Sequence, residues 1–321
     1  MSEPLFEKLA IVGIGLLGSS IACAARKTNA VRRIALTDAS QDVVDRAQNR
    51  GLGDEYSTDA AAICADADLV ILCVPVGACG SVAESIGPNL KPGALVSDVG
   101  SVKEAVTLAV TPHIPDGVQF IGGHPVAGTE QSGPEAGFAE LFEKRWCILT
   151  PDGDTDADAL KRLRKFWEQL GSDVELMDTK HHDLVLAITS HVPHLIAYNI
   201  VGTAADLETI TRSEVMKFSA GGFRDFTRIA ASNPTMWRDV FLNNKEAVLE
   251  MLARFNEDLI SLQRAIRWGD GDTLFDLFTH TRAIRRGIID AGQETAEPDF
   301  GRHHGATPEV PDAASTKSDP L

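Results

Sequence analysis

Positive charge is scarce in this 321-residue chain: 30 Lys and Arg stand against 46 Asp and Glu, for a net charge of −16. Such an acidic surface repels a phosphate backbone, which excludes nucleic acid as the expected partner and obliges any anionic ligand to find a local basic pocket. Cysteine is also sparse. Cys23, Cys64, Cys73, Cys79 and Cys147 are odd in number and form no C-x-x-C pair, so no disulfide framework is expected. No unbroken apolar run reaches the ~18 residues that cross a bilayer. The acidic segment Met1 to Lys8 lacks the basic start of an export signal, so the expected location is cytoplasmic, with no membrane partner. There is no internal repeat. His303 and His304 are adjacent but lack further ligands, and no metal site is assigned.

What the chain does have is alternation. Short apolar runs at Leu9 to Val12, Ile34 to Thr37, Leu69 to Val74, Leu95 to Val99, Val118 to Ile121, Cys147 to Leu149 and Val174 to Met177 are separated by segments of helical periodicity. Helix-start signals fall where they should, with Asp38 or Ser40 ahead of Val43 and Asp154 to Asp158 ahead of Leu160. From Thr179 to about Ala291 only helical patterns remain, Leu242 to Trp268 being the longest. The expected fold is α/β: an N-terminal doubly wound (Rossmann-type), mostly parallel sheet over 1–178, then an all-α domain over 179–291. Residues 292–321 form an acidic tail expected to be disordered. A small helical domain buries its apolar faces poorly alone, so a homodimer through it is expected.

The first apolar run ends in Gly13-Ile14-Gly15-Leu16-Leu17-Gly18 and a helix follows, which is the context of a dinucleotide-binding turn. Gly13 permits the tight turn, Gly15 lets the backbone approach a pyrophosphate, and Gly18 lets helix and strand pack closely. Asp38, ~20 residues on, suits hydrogen bonds to ribose hydroxyls and repels a 2′-phosphate, favouring NAD over NADP; its alternative role is a helix N-cap. Val74 and Pro75, at the end of another strand, complete the expected cofactor contacts with Ser101.

Three further segments are unusually polar. Asp98-Val99-Gly100-Ser101-Val102-Lys103 follows a strand, where ligands collect in open parallel sheets, and Ser101 there serves either the cofactor or as the cap of the next helix. Gly122-Gly123-His124-Pro125 reads as a loop that aims His124 outward, an imidazole suited to take a hydroxyl proton. In the helical region, Arg224 and Arg228 of GGFRDFTRIAASNPTMW offer planar forks for a carboxylate, with pairing to Asp225 the competing role for Arg224. Pro193 in SHVPH removes an amide donor inside a helix and leaves the Thr189 carbonyl without its usual partner, so a kink is expected beside His194; His181 and His182 are the weak metal alternative.

Together DVGSVK, GGHPVAGTE, SHVPH and GGFRDFTRIAASNPTMW make the chain resemble the prephenate/arogenate (cyclohexadienyl) dehydrogenase family from about Leu9 to Ile289. The resemblance implies NAD-dependent oxidative decarboxylation of prephenate or arogenate in tyrosine biosynthesis. It also implies that His124 is the catalytic histidine, that Ser101 bonds to it or to the cofactor, and that Arg228 binds the ring carboxylate. His194, Thr129, Glu130, Ser232 and Trp237 are implied as substrate lining. Two competing readings are a β-hydroxyacid dehydrogenase, which needs a helical-domain lysine such as Lys217 or Lys245, and an NAD-sensing protein without catalysis.

Overall fold

A computed structural model describes residues 3–290 except Glu130, 212–216 and Phe218. The expected tail with His303 and His304, and the expected substrate residue Glu130, therefore lie outside the described residues.

Eight strands form one sheet: β1 (Phe6–Val12), β2 (Val31–Thr37), β3 (Glu55–Ser57), β4 (Leu69–Leu72), β5 (Leu95–Asp98), β6 (Gln119–Pro125), β7 (Trp146–Thr150) and β8 (Asp173–Leu176), in the order 3-2-1-4-5-6-7-8. All neighbouring pairs are parallel except β6 with β7, which run antiparallel and place His124 opposite Ile148. The sheet's strand order reverses at β1, so the crevice between the carboxyl ends of β1 and β4 is the position where doubly wound sheets take their ligands. Seven strands were legible as apolar runs; β3 was not, because Glu55-Tyr56-Ser57 is a short, half-buried edge segment.

Side-chain alternation explains why both faces are covered. Leu9 and Ile11 of β1 enter one buried cluster with Ile21, Phe142, Phe166 and Trp167, whereas Ala10 and Val12 enter the opposite cluster with Val70, Leu72, Ile86 and Val96. Helices α1 (Leu16–Thr28), α2 (Gln41–Asn49), α3 (Ala60–Cys64), α4 (Cys79–Ile86), α5 (Glu104–Val110) and α6 (Ala157–Gln169) supply the covering layers. The acidic run before α6 acts as expected: Asp156 accepts the Ala159 N–H at 2.8 Å.

Beyond β8 follow α7 (Thr179–Leu186), a π-helical turn (Ala187–His191), α8 (Val192–Thr211), α9 (Gly221–Thr227), a 3₁₀ turn (Arg228–Ala231), α10 (Pro234–Asn243), α11 (Lys245–Trp268) and α12 (Gly271–Asp290). The π turn sits just ahead of Pro193, where the missing amide donor forces the helical ladder to shift register. The helical run Thr179–Asp206 contains a window that is apolar enough, by length and composition only, to cross a membrane, with a mean hydropathy of 1.5. No unbroken apolar stretch of that length occurs there, because Ser190, His191, Pro193 and His194 interrupt it; His182, Asp183 and His191 are buried.

Chain contacts group residues 1–254 as one compact unit and 255–321 as a second. The first holds the sheet and the helices up to the start of α11. In the second, the described helices expose Leu259, Ile260, Ile266, Trp268, Phe275 and Phe278.

Candidate active site

The glycine turn is built as its residue types require. Gly13 has φ +97°, and a Cβ there would lie 2.5 Å from the Cys73 carbonyl oxygen and 3.1 Å from Val74 Cγ1, so only glycine lets β1 and β4 close on one another. Gly18 sits against the turn itself, where a Cβ would meet the Gly13 oxygen at 2.1 Å. Gly15 differs: among the described residues nothing stands within 4 Å of a Cβ built there, and its N-cap position on α1 has no side-chain cap. A helix N-terminus with open space over its backbone donors fits a dinucleotide pyrophosphate. Asp38 directly follows β2, with Oδ2 accepting the Ile14 N–H at 3.0 Å and Oδ1 accepting the Ser40 N–H at 3.0 Å. It joins the glycine turn to the next helix, whose N-cap position is Ser40.

These contacts separate two glycines experimentally. Gly18→Ala is expected to destabilise the fold by about 1–3 kcal/mol, the usual result of overpacking. Gly15→Ala is expected to keep the wild-type urea midpoint while weakening NAD+ binding. Equal loss of stability in both variants would contradict the assignment.

At the far end of the crevice, β5 and β6 carry the second constellation. His124 is in strand β6 and 7% exposed, not in an outward-aimed loop as the flanking glycines suggested. Those glycines have another purpose. A Cβ on Gly122 would fall 2.5 Å from Thr150 Oγ1, and one on Gly123 2.8 Å from the Asp98 carbonyl oxygen. The room they leave holds a fully buried ion pair, Lys103 with Asp98, in which Nζ also donates to the Gly123 carbonyl at 2.7 Å and the Gly123 N–H donates to Asp98 Oδ1 at 3.1 Å. A buried pair with this many partners is satisfied, and removing either charge would strand the other.

His124 Nδ1 lies 2.9 Å from His182 Nε2, and His182 Nδ1 lies 2.8 Å from Asp183 Oδ1. Asp183 also accepts the N–H groups of Lys103 at 2.8 Å and Glu104 at 3.0 Å, so it caps α5 from across the chain. That role displaces Ser101, which precedes the Lys103 N-cap position and makes no cap. The Ser101 backbone instead interacts with His191. Asn244 donates to the Asp183 carbonyl at 2.8 Å and lies 3.1 Å from His191 Nδ1. The sequence reading missed this cluster, treating His182 only as a metal alternative. The available signal was three consecutive ionisable residues, His181 to Asp183, at the start of an otherwise apolar helical run.

Burial keeps these imidazoles neutral. It is the largest cause holding His124 well below the usual imidazole range, followed by the His182, Lys103 and His191 charges. It also lowers His182 against the opposing pull of Asp183, and takes His191 down to about 4. Unfolded histidines titrate near ~6.5, so below that pH the unfolded chain binds protons that the folded chain refuses. The contribution to stability is therefore complete above about pH 6.5 and is lost as pH falls toward the lowered values. Urea unfolding is expected to show a lower midpoint at pH 5 than at pH 7.5; a flat profile would mean the folded imidazoles accept protons freely.

The remaining expected residues divide. Trp237 is buried and stacks on His194 with ring centroids 3.7 Å apart and planes 24° from parallel, while His194 Nδ1 donates to the Ser190 carbonyl at 2.9 Å. The Arg228 charge is among the causes lowering His194, after burial, which places the two as neighbours. Arg228 is half-buried and Arg224 exposed. The Ser232 carbonyl accepts from the Tyr198 hydroxyl at 2.7 Å. Trp237 and Val240 pack on Val102, with Val76 against them, so α10 is seated on the loops that follow β4 and β5. Pro75 precedes the short turn carrying Val76. Thr129 is exposed in the loop after β6 and bonds only to its neighbour Gln131 among the described residues. Lys217 and Lys245 are exposed.

Comparison with known proteins matches this geometry to one family. The prephenate dehydrogenase nucleotide-binding domain model matches residues 21–176, and the prephenate dehydrogenase dimerization domain model matches 178–280. A cyclohexadienyl dehydrogenase of Zymomonas mobilis is 43% identical over 281 residues, covering 88% of this chain and 96% of the relative. A prephenate dehydrogenase of Bacillus subtilis is 32% identical, covering 88% and 76%. Among solved structures, prephenate dehydrogenase from A. aeolicus in complex with hydroxyphenyl propionate and NAD+ superposes with a TM-score of 0.82 at 34% identity, covering 88% and 98%. Arogenate dehydrogenase from Synechocystis gives 0.74 at 29% identity, covering 88% and 99%. With an open glycine turn, a buried histidine at the carboxyl end of β6 and both domain models matched in order, the chain belongs to the prephenate dehydrogenase (cyclohexadienyl dehydrogenase) family of NAD-dependent enzymes.

Proposed function

We propose that His124 is the general base of this dehydrogenase and that Arg228, His194 and Trp237 hold the substrate ring and its carboxylate. The observation that carries this reading is the pairing of His124 Nδ1 with His182, which commits one ring nitrogen and leaves Nε2 for proton exchange. The substrate class is a cyclohexadienol with a C4 hydroxyl and a C1 carboxylate, prephenate or arogenate. NAD+, when bound, supplies the acceptor for the C4 hydride. His124 takes the hydroxyl proton, so a carbonyl forms at C4 conjugated with the carbon that bears the carboxylate. Loss of carbon dioxide then leaves an aromatic phenolate, which takes a proton to become the phenol; aromatisation drives the step, and no Schiff base is needed. Arg228 positions the carboxylate, and a pair that neutralised it fully would oppose its departure. Ser101, Val74 and Pro75 border the nicotinamide end of the cofactor, with Thr129, Glu130 and Ser232 around the substrate.

Asp38 at the end of β2 supports NAD+ over NADP+. Dimerisation through the helical region is supported by the matched dimerization domain model and by the exposed apolar residues of α11 and α12. The test is NADH formation with prephenate and with arogenate, run with either cofactor on protein sized by sedimentation. Turnover with at least one substrate, faster with NAD+, is expected from a dimer. No turnover with either would overturn the reading.

A further inference from the structure

We propose that His182 and Asp183 are positioning residues that fix the tautomer of His124, holding its proton on Nδ1 so that Nε2 presents a lone pair. This rests on the reading of His124 as base. The chain of donors and acceptors starts at Asp183. Its Oδ1 faces the Lys103 N–H at 2.8 Å and its Oδ2 faces the Glu104 N–H at 3.0 Å, and backbone amides only donate. Both oxygens are therefore acceptors, and His182 Nδ1, 2.8 Å from Oδ1, must carry the proton between them. A neutral imidazole has one N–H, so His182 Nε2 is a lone pair. His124 Nδ1, 2.9 Å from that lone pair, must in turn be the donor. The last consequence is that His124 Nε2 carries no proton and is ready to accept one.

All three side chains are buried, and Asn244 secures the Asp183 backbone by donating to its carbonyl at 2.8 Å. Water has little access to reverse the chain of donors. The same bonds join chemistry to cofactor loop: Asp183 binds the Lys103 and Glu104 N–H groups, in the segment that follows Ser101 and Val102, so this segment and the imidazole are held by one carboxylate. When His124 gains a proton, its Nδ1–H still donates to His182, and the Asp183 charge lies beyond to favour the cation.

The test reads the tautomer directly, by two-bond proton–nitrogen correlation spectra of ¹⁵N-histidine-labelled protein, assigned with His124→Asn and His182→Leu. In the wild type, both rings are expected to carry their proton on Nδ1, opposite to the preference of free histidine. In His182→Gln the amide oxygen can replace Nε2 as acceptor, so His124 keeps its Nδ1 proton. In His182→Leu no acceptor remains, His124 reverts to an Nε2 proton, and kcat falls about 10²-fold or more while KM for NAD+ is unchanged. His182→Gln should recover at least tenfold of that loss. An Nε2 proton on His124 in the wild type, or an unchanged tautomer in a folded His182→Leu, overturns the proposal. If the tautomers are as stated but His124→Asn turns over normally, the base assignment fails and the positioning does not.

Discussion

His124→Asn is expected to lower kcat by ~10² to 10⁴, the range for loss of a general base, with cofactor affinity close to wild type. The two parts of that prediction come from different places in the structure. The imidazole is at the carboxyl end of β6, whereas the glycine turn that fits the cofactor lies between β1 and β4. Asparagine can still offer a donor to His182 Nε2, so the hydrogen-bond network survives the change and the fold should too. What is lost is the basic nitrogen that the pairing of Nδ1 with His182 leaves uncommitted. Steady-state kinetics with a fluorescence titration of NAD+ checks both parts, and unchanged turnover would dismiss the role.

Arg228→Ala is expected to act on binding instead. The guanidinium is half-buried in the 3₁₀ turn Arg228–Ala231, beside the His194–Trp237 stack. Losing a charge-assisted pair there costs about 2–5 kcal/mol, which corresponds to a rise in KM for the substrate of roughly 30-fold to several thousand-fold. The change should fall on KM more than kcat, because a carboxylate about to leave is held in the ground state as well as in the transition state. A normal KM would move the anchor elsewhere, with Arg224 the next cation in the segment. Since Arg224 is exposed, its own pair with a carboxylate would be worth far less.

Much of this was readable from residues alone, for physical reasons that also explain the failures. Apolar periodicity located seven strands because buried parallel strands are continuous hydrophobic runs, and it failed for Glu55 to Ser57 because an edge strand need not be apolar. The glycine turn was legible because two of its constraints lie within the turn itself: the positive φ at Gly13 and the close approach of Gly18 to the Gly13 carbonyl. His124 was located as a residue but misplaced as a loop, since the reason for Gly122 and Gly123 is the side chain of Thr150 and the carbonyl of Asp98, both distant in sequence. His182 and Asp183 were overlooked for the same reason. Their partners, His124 and the start of α5, lie 58 to 80 residues away, and no local pattern encodes such pairing.

The central claim is that a neutral imidazole held on its Nδ1 side removes the proton of a ring hydroxyl. The most direct test is a crystal structure of this chain with NAD+ and hydroxyphenyl propionate bound. The account predicts His124 Nε2 within ~3 Å of the phenol oxygen, with Nδ1 still on His182 and the nicotinamide ring alongside. A phenol hydrogen-bonded to a different side chain, with the His124 ring turned away beneath the sheet, would contradict it.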